Sequence, residues 1–110
     1  MNFIRAEVKN GTATLGTFNV TSPVANGSID IGLRGEDAHI AAADQPAIPF
    51  AVRVVEPMGS HLLITGTILG QPARIVAPST ARVVPSTEIG FTVDPSRLTW
   101  FDTVTGKAVL

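Results

Sequence analysis

Apolar and polar residues alternate in short runs along this chain, and glycine or proline interrupts the runs every few positions. Alternation of this kind is typical of β-strands that bury one face, because successive side chains point to opposite sides of a strand. β-branched residues dominate the runs, and no run keeps a helical period for three turns. The pattern predicts an all-β domain of short antiparallel strands.

Turn sequences mark where the predicted strands end. Asn10-Gly11 favours the positive φ angles of a tight hairpin, and the segment 57–60 has the same hairpin character further along the chain. The segment 35–48 lacks alternation, so we expect a connection there with at most one helical turn. The predicted strands are 4–8, 12–20, 28–34, 50–56, 61–69, 73–77, 88–93 and 98–101.

Short antiparallel strands in this number favour a barrel or a sandwich, in which closure removes exposed strand edges. An OB-like barrel fits the strands after residue 48 best, with an N-terminal hairpin segment joining it. Periodicity does not separate this barrel from an immunoglobulin-like sandwich, although the lack of cysteine and tyrosine argues against an immunoglobulin proper. We find no long internal repeat and no low-complexity tract in the sequence.

The composition is that of one folded domain. The chain has 110 residues, of which 45% are hydrophobic and 15% are charged, which is too apolar for a disordered chain. No window has the roughly 18 uninterrupted apolar residues of a transmembrane helix, and the first residues do not resemble a signal peptide. We therefore expect a cytoplasmic protein.

The charges and the missing cysteine exclude several classes of function. The formal net charge is −1, and the basic residues are scattered, whereas a nucleic-acid partner requires a basic stripe that neutralises phosphates. Without cysteine the chain can form neither disulfides nor thiolate metal sites. We expect no nucleic-acid partner.

Catalytic and metal-binding interpretations find little support in the sequence. His39 and His61 lack a second histidine at ligand spacing, and Ser60 beside His61 lies outside any nucleophile elbow. Glu36 and Asp94 are carboxylates on predicted loops, where they ordinarily cap turns. No phosphate-binding loop is present. We expect no catalytic residue, no metal site and no cofactor in this chain.

Two other functions remain open at this point. Hydroxyl groups at 12–14 and at Ser79 and Thr80 could donate to an oxyanion, as they would in an oxyanion- or small-ligand-binding OB module of a transport ATPase. The sequons at Asn10, Asn19 and Asn26 would be glycan acceptors in an extracellular β-sandwich interaction domain. The sequons coincide with turns, where asparagine also serves positive φ angles.

Four segments, taken in order, resemble the C-terminal TOBE domain of maltose-type carbohydrate ABC importer ATPases. They are 1–3, 31–37, 52–60, and 91–102 followed by 105–107. The last segment is the most specific, since it is similar to the family ending Phe-x-x-Asp-Pro-x-Arg-Leu-x-x-Phe-Asp. The second segment departs from the family pattern, with Gly35 in place of proline and Asp37 in place of histidine.

The resemblance implies one non-catalytic domain spanning 1–110, the C-terminal part of a longer ATPase subunit whose own ATPase domain would bind ATP and magnesium. In this family the C-terminal domain contacts its counterpart in the other subunit and can bind regulatory proteins. The implied partners are the ATPase domain, a second copy and a regulatory protein, with the inner face of the membrane reached only through permease subunits. The expected partner or dimer contacts are Phe3, Arg34, Glu36, Glu56 and Gly59.

The last predicted strand contains two large aromatic residues in succession. Alternation places Trp100 and Phe101 on opposite faces. Phe101 belongs to the family ending and follows Leu98 by three residues, so we predict that Phe101 enters the core and that Trp100 covers an edge or a contact surface.

Overall fold

Ten β-strands and two 3₁₀ turns make up residues 1–109, the part of the chain that the computed structural model describes. The strands are β1 (Asn2–Lys9), β2 (Thr12–Leu15), β3 (Phe18–Thr21), β4 (Gly27–Leu33), β5 (His39–Ile40), β6 (Ile48–Pro57), β7 (His61–Ile68), β8 (Gln71–Pro78), β9 (Glu88–Thr92) and β10 (Thr99–Phe101). The 3₁₀ turns are Gly35–Asp37 and Pro95–Arg97. The predicted all-β class is confirmed.

The strands form two antiparallel five-stranded sheets, ordered β10-β4-β1-β2-β3 and β5-β9-β6-β7-β8. Each sheet is a curled half-barrel, and the pair is consistent with the predicted OB-like barrel. The N-terminal segment is more than a joining hairpin, because β1 pairs with β4 along most of its length. The single strand predicted at 12–20 is two strands, since the chain reverses at Gly16, where φ is +65°.

The two sheets follow one plan. In each sheet a three-stranded meander is followed by a strand that returns to pair with the first, and the chain then crosses through a 3₁₀ turn to the edge of the other sheet. The pairing register of β1 with β4 matches that of β6 with β9. Ile4 lies opposite Ile31 in the first pair, and Ile48 lies opposite Phe91 in the second. The two sheets thus form a structural repeat. The sequence does not show this repeat, because its halves share only buried apolar positions and differ in their connections.

One apolar core fills the space between the sheets. Within residues 1–109 no polar or charged residue is fully buried. Phe50 and Phe91 meet edge to face, with their ring centroids 6.1 Å apart. Gly66 admits Phe50 beside it, since a Cβ at Gly66 would lie 2.8 Å from Phe50 Cε1. The core therefore depends on close packing and on one position without a side chain.

Side-chain hydrogen bonds join the two sheets at β1 and β8. The side chain of Gln71 accepts a hydrogen bond from the Arg5 N–H at 2.8 Å and donates one to the Arg5 carbonyl at 3.0 Å. At another contact between the sheets, the Thr17 hydroxyl accepts from the Ala47 N–H at 2.9 Å. Polar side chains thus connect the sheets where strand-to-strand pairing ends.

The facing predicted for the last strand is wrong. Trp100 lies opposite Ile31, which is 1% exposed, and it packs against the core. Phe101 lies opposite Asp30 and contacts Phe3 on the outer face of the first sheet. Pairing with β4 sets the register of this three-residue strand, and a shift by one residue turns every side chain to the other face.

Candidate interaction surfaces

The outer face of the first sheet carries an aromatic cluster. We call the aromatic face the set of Met1, Phe3, Gly32, Thr99 and Phe101. Phe3 is 57% exposed and Met1 is 55% exposed, while Phe101 is half-buried. The rings of Phe3 and Phe101 meet edge to face at a centroid distance of 5.3 Å. Exposed aromatic side chains held in this way are typical anchors of protein interfaces.

Gly32 lets the side chains of Met1 and Phe101 pack closely against the sheet. It occupies the middle strand of the three, opposite Phe3 on β1 and Thr99 on β10. A Cβ at Gly32 would lie 2.8 Å from Phe101 Cε2 and 2.7 Å from Met1 Sδ. Position 32 therefore has to be glycine because Met1 and Phe101 cover it, and a side chain there would displace both.

Charged residues border the aromatic face. Arg5 Nε donates to Asp30 Oδ1 at 3.0 Å, and the Arg5 side chain is 58% exposed. The hydrogen bond to Asp30 raises the pKa of Arg5 above its ordinary value. Arg34 is exposed one residue beyond the end of β4. An apolar centre with a charged border is the usual anatomy of a protein interface.

The outer side of the second sheet carries a cleft, which Pro49 and Gly90 help to line. This cleft of about 370 Å³ lies between the first residues of β9, the segment 41–47 and the turn after β2. Small residues line it, including Gly16, Ala41, Ala47 and Gly90, and the exposed carboxylate of Glu88 stands at its border. Besides this carboxylate, the polar side chains that line the cleft are those of Thr17 and Gln45.

The structure distributes the five predicted contact residues over both sheets. Phe3 and Arg34 lie near one end of the β1–β4 pair, where Asn2 is opposite Leu33. Glu36 is exposed on the adjoining 3₁₀ turn.

The other two contact residues lie on the β6–β7 hairpin of the second sheet. Glu56 is exposed opposite Leu63, and Gly59 occupies the turn with a φ of +87°. The structure therefore groups Phe3 and Arg34 with Glu36 and leaves Glu56 and Gly59 on the other sheet.

Phe3 is the one residue of the aromatic face among the predicted contacts, and Met1, Gly32, Thr99 and Phe101 were missed. Their signal was Gly32, a glycine within an alternating strand, which indicates that something approaches the backbone closely. The family departure at Gly35 has a similar cause. A Cβ at Gly35 would lie 2.6 Å from the carbonyl oxygen of Arg74 on β8, so the 3₁₀ turn packs directly on that strand.

The residues considered for other chemistry are dispersed. In the described part of the chain, no group of three or more His, Asp or Glu side chains is placed to hold a metal ion. His61 Nδ1 lies 3.1 Å from Ser60 Oγ at an exposed hairpin, and the Thr14 hydroxyl bonds to Asn19 Oδ1 at 2.9 Å on an outer strand face. Across residues 1–109, no helix has the length and apolar character needed to span a bilayer.

Comparison with known proteins finds similar sequences among ATP-binding proteins of import systems. The sn-glycerol-3-phosphate import ATP-binding protein UgpC of Ruegeria sp. (strain TM1040) is 34% identical over 113 residues, covering 99% of this chain and 32% of the relative. The same protein of Paracoccus denitrificans (strain Pd 1222) is 30% identical over 113 residues, with the same coverage. The sulfoquinovosyl glycerol transport ATP-binding protein SmoE of Agrobacterium fabrum is 31% identical over 120 residues, covering 99% of the chain and 33% of the relative.

The chain spans about a third of the length of these relatives. The part of the relatives that it matches is their C-terminal part. No protein-family model matches the chain.

Proposed function

Since the chain is homologous to the C-terminal part of carbohydrate ABC importer ATP-binding subunits, as its four sequence segments predicted, we propose that it is a non-catalytic regulatory and dimer-contact domain of such a subunit. The observation that carries this proposal is a match covering 99% of this chain and only 32% of the first relative. Residues 1–110 are then one domain of a longer protein, and ATP and magnesium bind the ATPase part.

The aromatic face supports a contact role for this domain. Phe3 keeps 57% of its surface in solvent although Phe101 packs against it. Contact of an aromatic cluster with water is unfavourable in free energy, and a partner that covers the cluster removes this penalty. The proposed partners are the ATPase domain, a second copy of the subunit and a regulatory protein, on the cytoplasmic side of the membrane and in contact with it only through permease subunits.

Thermal melting tests the non-catalytic role. The 110-residue chain is expected to melt at the same temperature with and without Mg-ATP, because a ligand raises stability only by binding the folded state. The complete ATP-binding subunit, melted in the same two buffers, is the control and is expected to shift upward. A clear ATP-dependent shift of the 110-residue chain would contradict the proposal.

Association of the complete subunit tests the contact role. Phe3→Ser is expected to weaken the association of two subunits, measured by sedimentation equilibrium, while ATP binding stays unchanged. Thr21→Ser, an exposed substitution at the far edge of the first sheet, is the matched control. Equal association of both variants and the wild type would remove the aromatic face from the contact.

A further inference from the structure

The strand β5 covers only part of the outer edge of β9. The Val52 N–H on β6 donates to the Thr87 carbonyl at 2.8 Å. Successive residues of a strand direct their main-chain groups to opposite sides, so those of Glu88 and Gly90 point away from β6, toward the edge. The bond from the Ala41 N–H to the Gly90 carbonyl, at 2.9 Å, agrees with this direction. β5 itself pairs only with residues 91–92 of β9.

A turn leads the chain away from β9 before it reaches Glu88. The Ala42 N–H donates to Gln45 Oε1 at 3.2 Å, and the Gln45 N–H donates to the Ala42 carbonyl at 3.1 Å. Within residues 1–109 no other segment bonds to the main-chain N–H or carbonyl of Glu88. The edge of β9 is therefore open at Glu88, where this strand borders the cleft.

The cleft beside the open edge has room for another main chain. Its volume of about 370 Å³ lies at the low end of the range of about 300–1,000 Å³ that ligand sites occupy. Glycine and alanine form much of its wall, and small residues let a second backbone approach closely. Ile89, which is half-buried, supplies an apolar contact for the neighbouring side chains. An extended peptide binds such an edge by adding a strand to the sheet.

The charge of the cleft favours one kind of side chain. Glu88 is exposed, and it is the only ionisable residue among those that line the cleft. Within residues 1–109 the one ion pair joins Arg5 and Asp30, so the Glu88 carboxylate has no cationic side chain within salt-bridge distance. Opposite charges that face each other on neighbouring strands stabilise the pairing. A lysine or arginine is therefore favoured opposite Glu88, and an anion is disfavoured there.

We propose that the open edge of β9 binds an extended segment of another protein, in which a lysine or arginine stands between apolar residues. The segment continues the line of β5 and, like β5, runs antiparallel to β9. The N–H of its basic residue donates to the Glu88 carbonyl, and the carbonyl of that residue accepts from the Glu88 N–H. The site is separate from the aromatic face and does not rest on a role in a transporter.

Titration of the isotope-labelled 110-residue chain, followed by NMR, tests the site. The probe is the peptide acetyl-Ser-Val-Lys-Val-Ser-amide. It is expected to shift the amide resonances of Glu88 and Gly90 with a dissociation constant of about 50 µM to 1 mM, and to bind less tightly as salt is added. The same peptide with glutamate in place of lysine is expected to bind at least about tenfold more weakly. No shift at Glu88 up to about 5 mM of the lysine peptide would overturn the proposal.

Methylation of the peptide main chain is the decisive measurement. A methyl group on the lysine nitrogen removes the donor to the Glu88 carbonyl and is expected to abolish measurable binding. A methyl group on the nitrogen of the following valine lies on the far side of the added strand, so the dissociation constant should stay within about twofold. Equal binding of the two methylated peptides would overturn the proposal, because the peptide would then be held without strand pairing.

Variants of the chain test the charge and the space separately. Glu88→Gln is expected to weaken binding of the lysine peptide at least about fivefold, and Ala42→Trp, which fills the cleft from an exposed position, is expected to block it. Glu56→Gln removes an exposed carboxylate on the β6–β7 hairpin and should leave binding unchanged. Unchanged affinity in Glu88→Gln would overturn the choice of a basic partner.

Thermal melting of each variant verifies that these substitutions at exposed positions leave the fold intact. The proposed transporter function is tested separately by the Mg-ATP melting experiment, so failure of either experiment leaves the other result standing.

Discussion

The side-chain amide of Asn2 makes two hydrogen bonds to the main chain of Arg74. Its Nδ2 donates to the Arg74 carbonyl at 2.8 Å, and its Oδ1 accepts from the Arg74 N–H at 2.8 Å. A further hydrogen bond from Nδ2 reaches the carbonyl of Leu33 at 3.1 Å. Asn2 lies on β1 and Arg74 on β8, so one amide side chain replaces strand pairing between the two sheets, as Gln71 does toward Arg5 in the opposite direction.

Asn2→Asp is expected to destabilise the domain by about 1–3 kcal/mol. The substitution keeps one acceptor but replaces the donating NH₂ group with an oxygen that faces two carbonyls, which leaves those carbonyls without their donor. Urea unfolding of the variant measures the loss. Asn19→Asp, at an exposed position on the edge strand β3, is the control and should change stability by less than about 0.5 kcal/mol. Equal stability of Asn2→Asp and the wild type would show that these hydrogen bonds are not needed for closure.

Gly66→Ala is expected to cost about 3 kcal/mol, near the upper end for overpacking a core. The added methyl group would meet Phe50 Cε1 at 2.8 Å and the carbonyl of Ala51 even more closely, in the middle of the β6–β7 pair. Gly59→Ala is the matched glycine control, since its Cβ would have open space and its φ of +87° costs only about 1–2 kcal/mol. Similar losses in the two variants would contradict the packing argument.

Trp100→Ala is expected to destabilise the domain more than Phe101→Ala, by about 2–3 kcal/mol against about 1 kcal/mol. Trp100 packs against the core, whereas Phe101 rests against Phe3 on the outer face. Trp100 is the single tryptophan, so the two variants should be compared by circular dichroism in urea instead of by fluorescence. A larger loss for Phe101→Ala would restore the facing expected from the family ending.

Asp94 and Asp102 make the stability of the domain fall in acid. The Thr105 and Val104 N–H groups donate to Asp102 Oδ1 at 2.9 and 2.8 Å and hold the pKa of Asp102 below its ordinary value of 3.8. The Ser96 N–H, which donates to Asp94 at 2.9 Å, lowers the pKa of Asp94 in the same way. Because the folded-state pKa values are depressed, the stabilisation is present above the unfolded value and is lost as pH falls below it.

Urea midpoints measured between about pH 6 and pH 2 test this dependence. Asp102→Asn keeps the accepting oxygen and removes the charge, so its stability should fall less steeply with acid than that of the wild type. Asp44→Asn, at an exposed position in the segment 41–47, should follow the wild-type curve. Parallel curves for Asp102→Asn and the wild type would show that the closing turn does not contribute to the pH dependence.

The sequence by itself determined the local elements and the family. Asn10-Gly11 forms the predicted turn, with φ angles of +51° and +78°, because few other residue pairs tolerate that backbone. Asp94 caps the 3₁₀ turn Pro95–Arg97, the turn-capping role expected of it, and the alternating residues Ile29 and Ile31 are buried. The ordered segments pointed to the importer ATP-binding subunits. Turn residues and apolar alternation act within a few residues, so a single sequence is enough to identify them.

The tertiary structure decided the pairing of distant strands. The two halves of the chain share few residues, and their similarity lies in how their strands pair. Each half contributes one strand to the edge of the other sheet, since β10 joins the first sheet and β5 joins the second. A strand of three residues carries no period of its own, so pairing with β4 chose which of Trp100 and Phe101 faces the core. That choice placed Phe101 beside Phe3, and no local pattern could have done so, because residues so far apart in the chain meet only when the whole core closes.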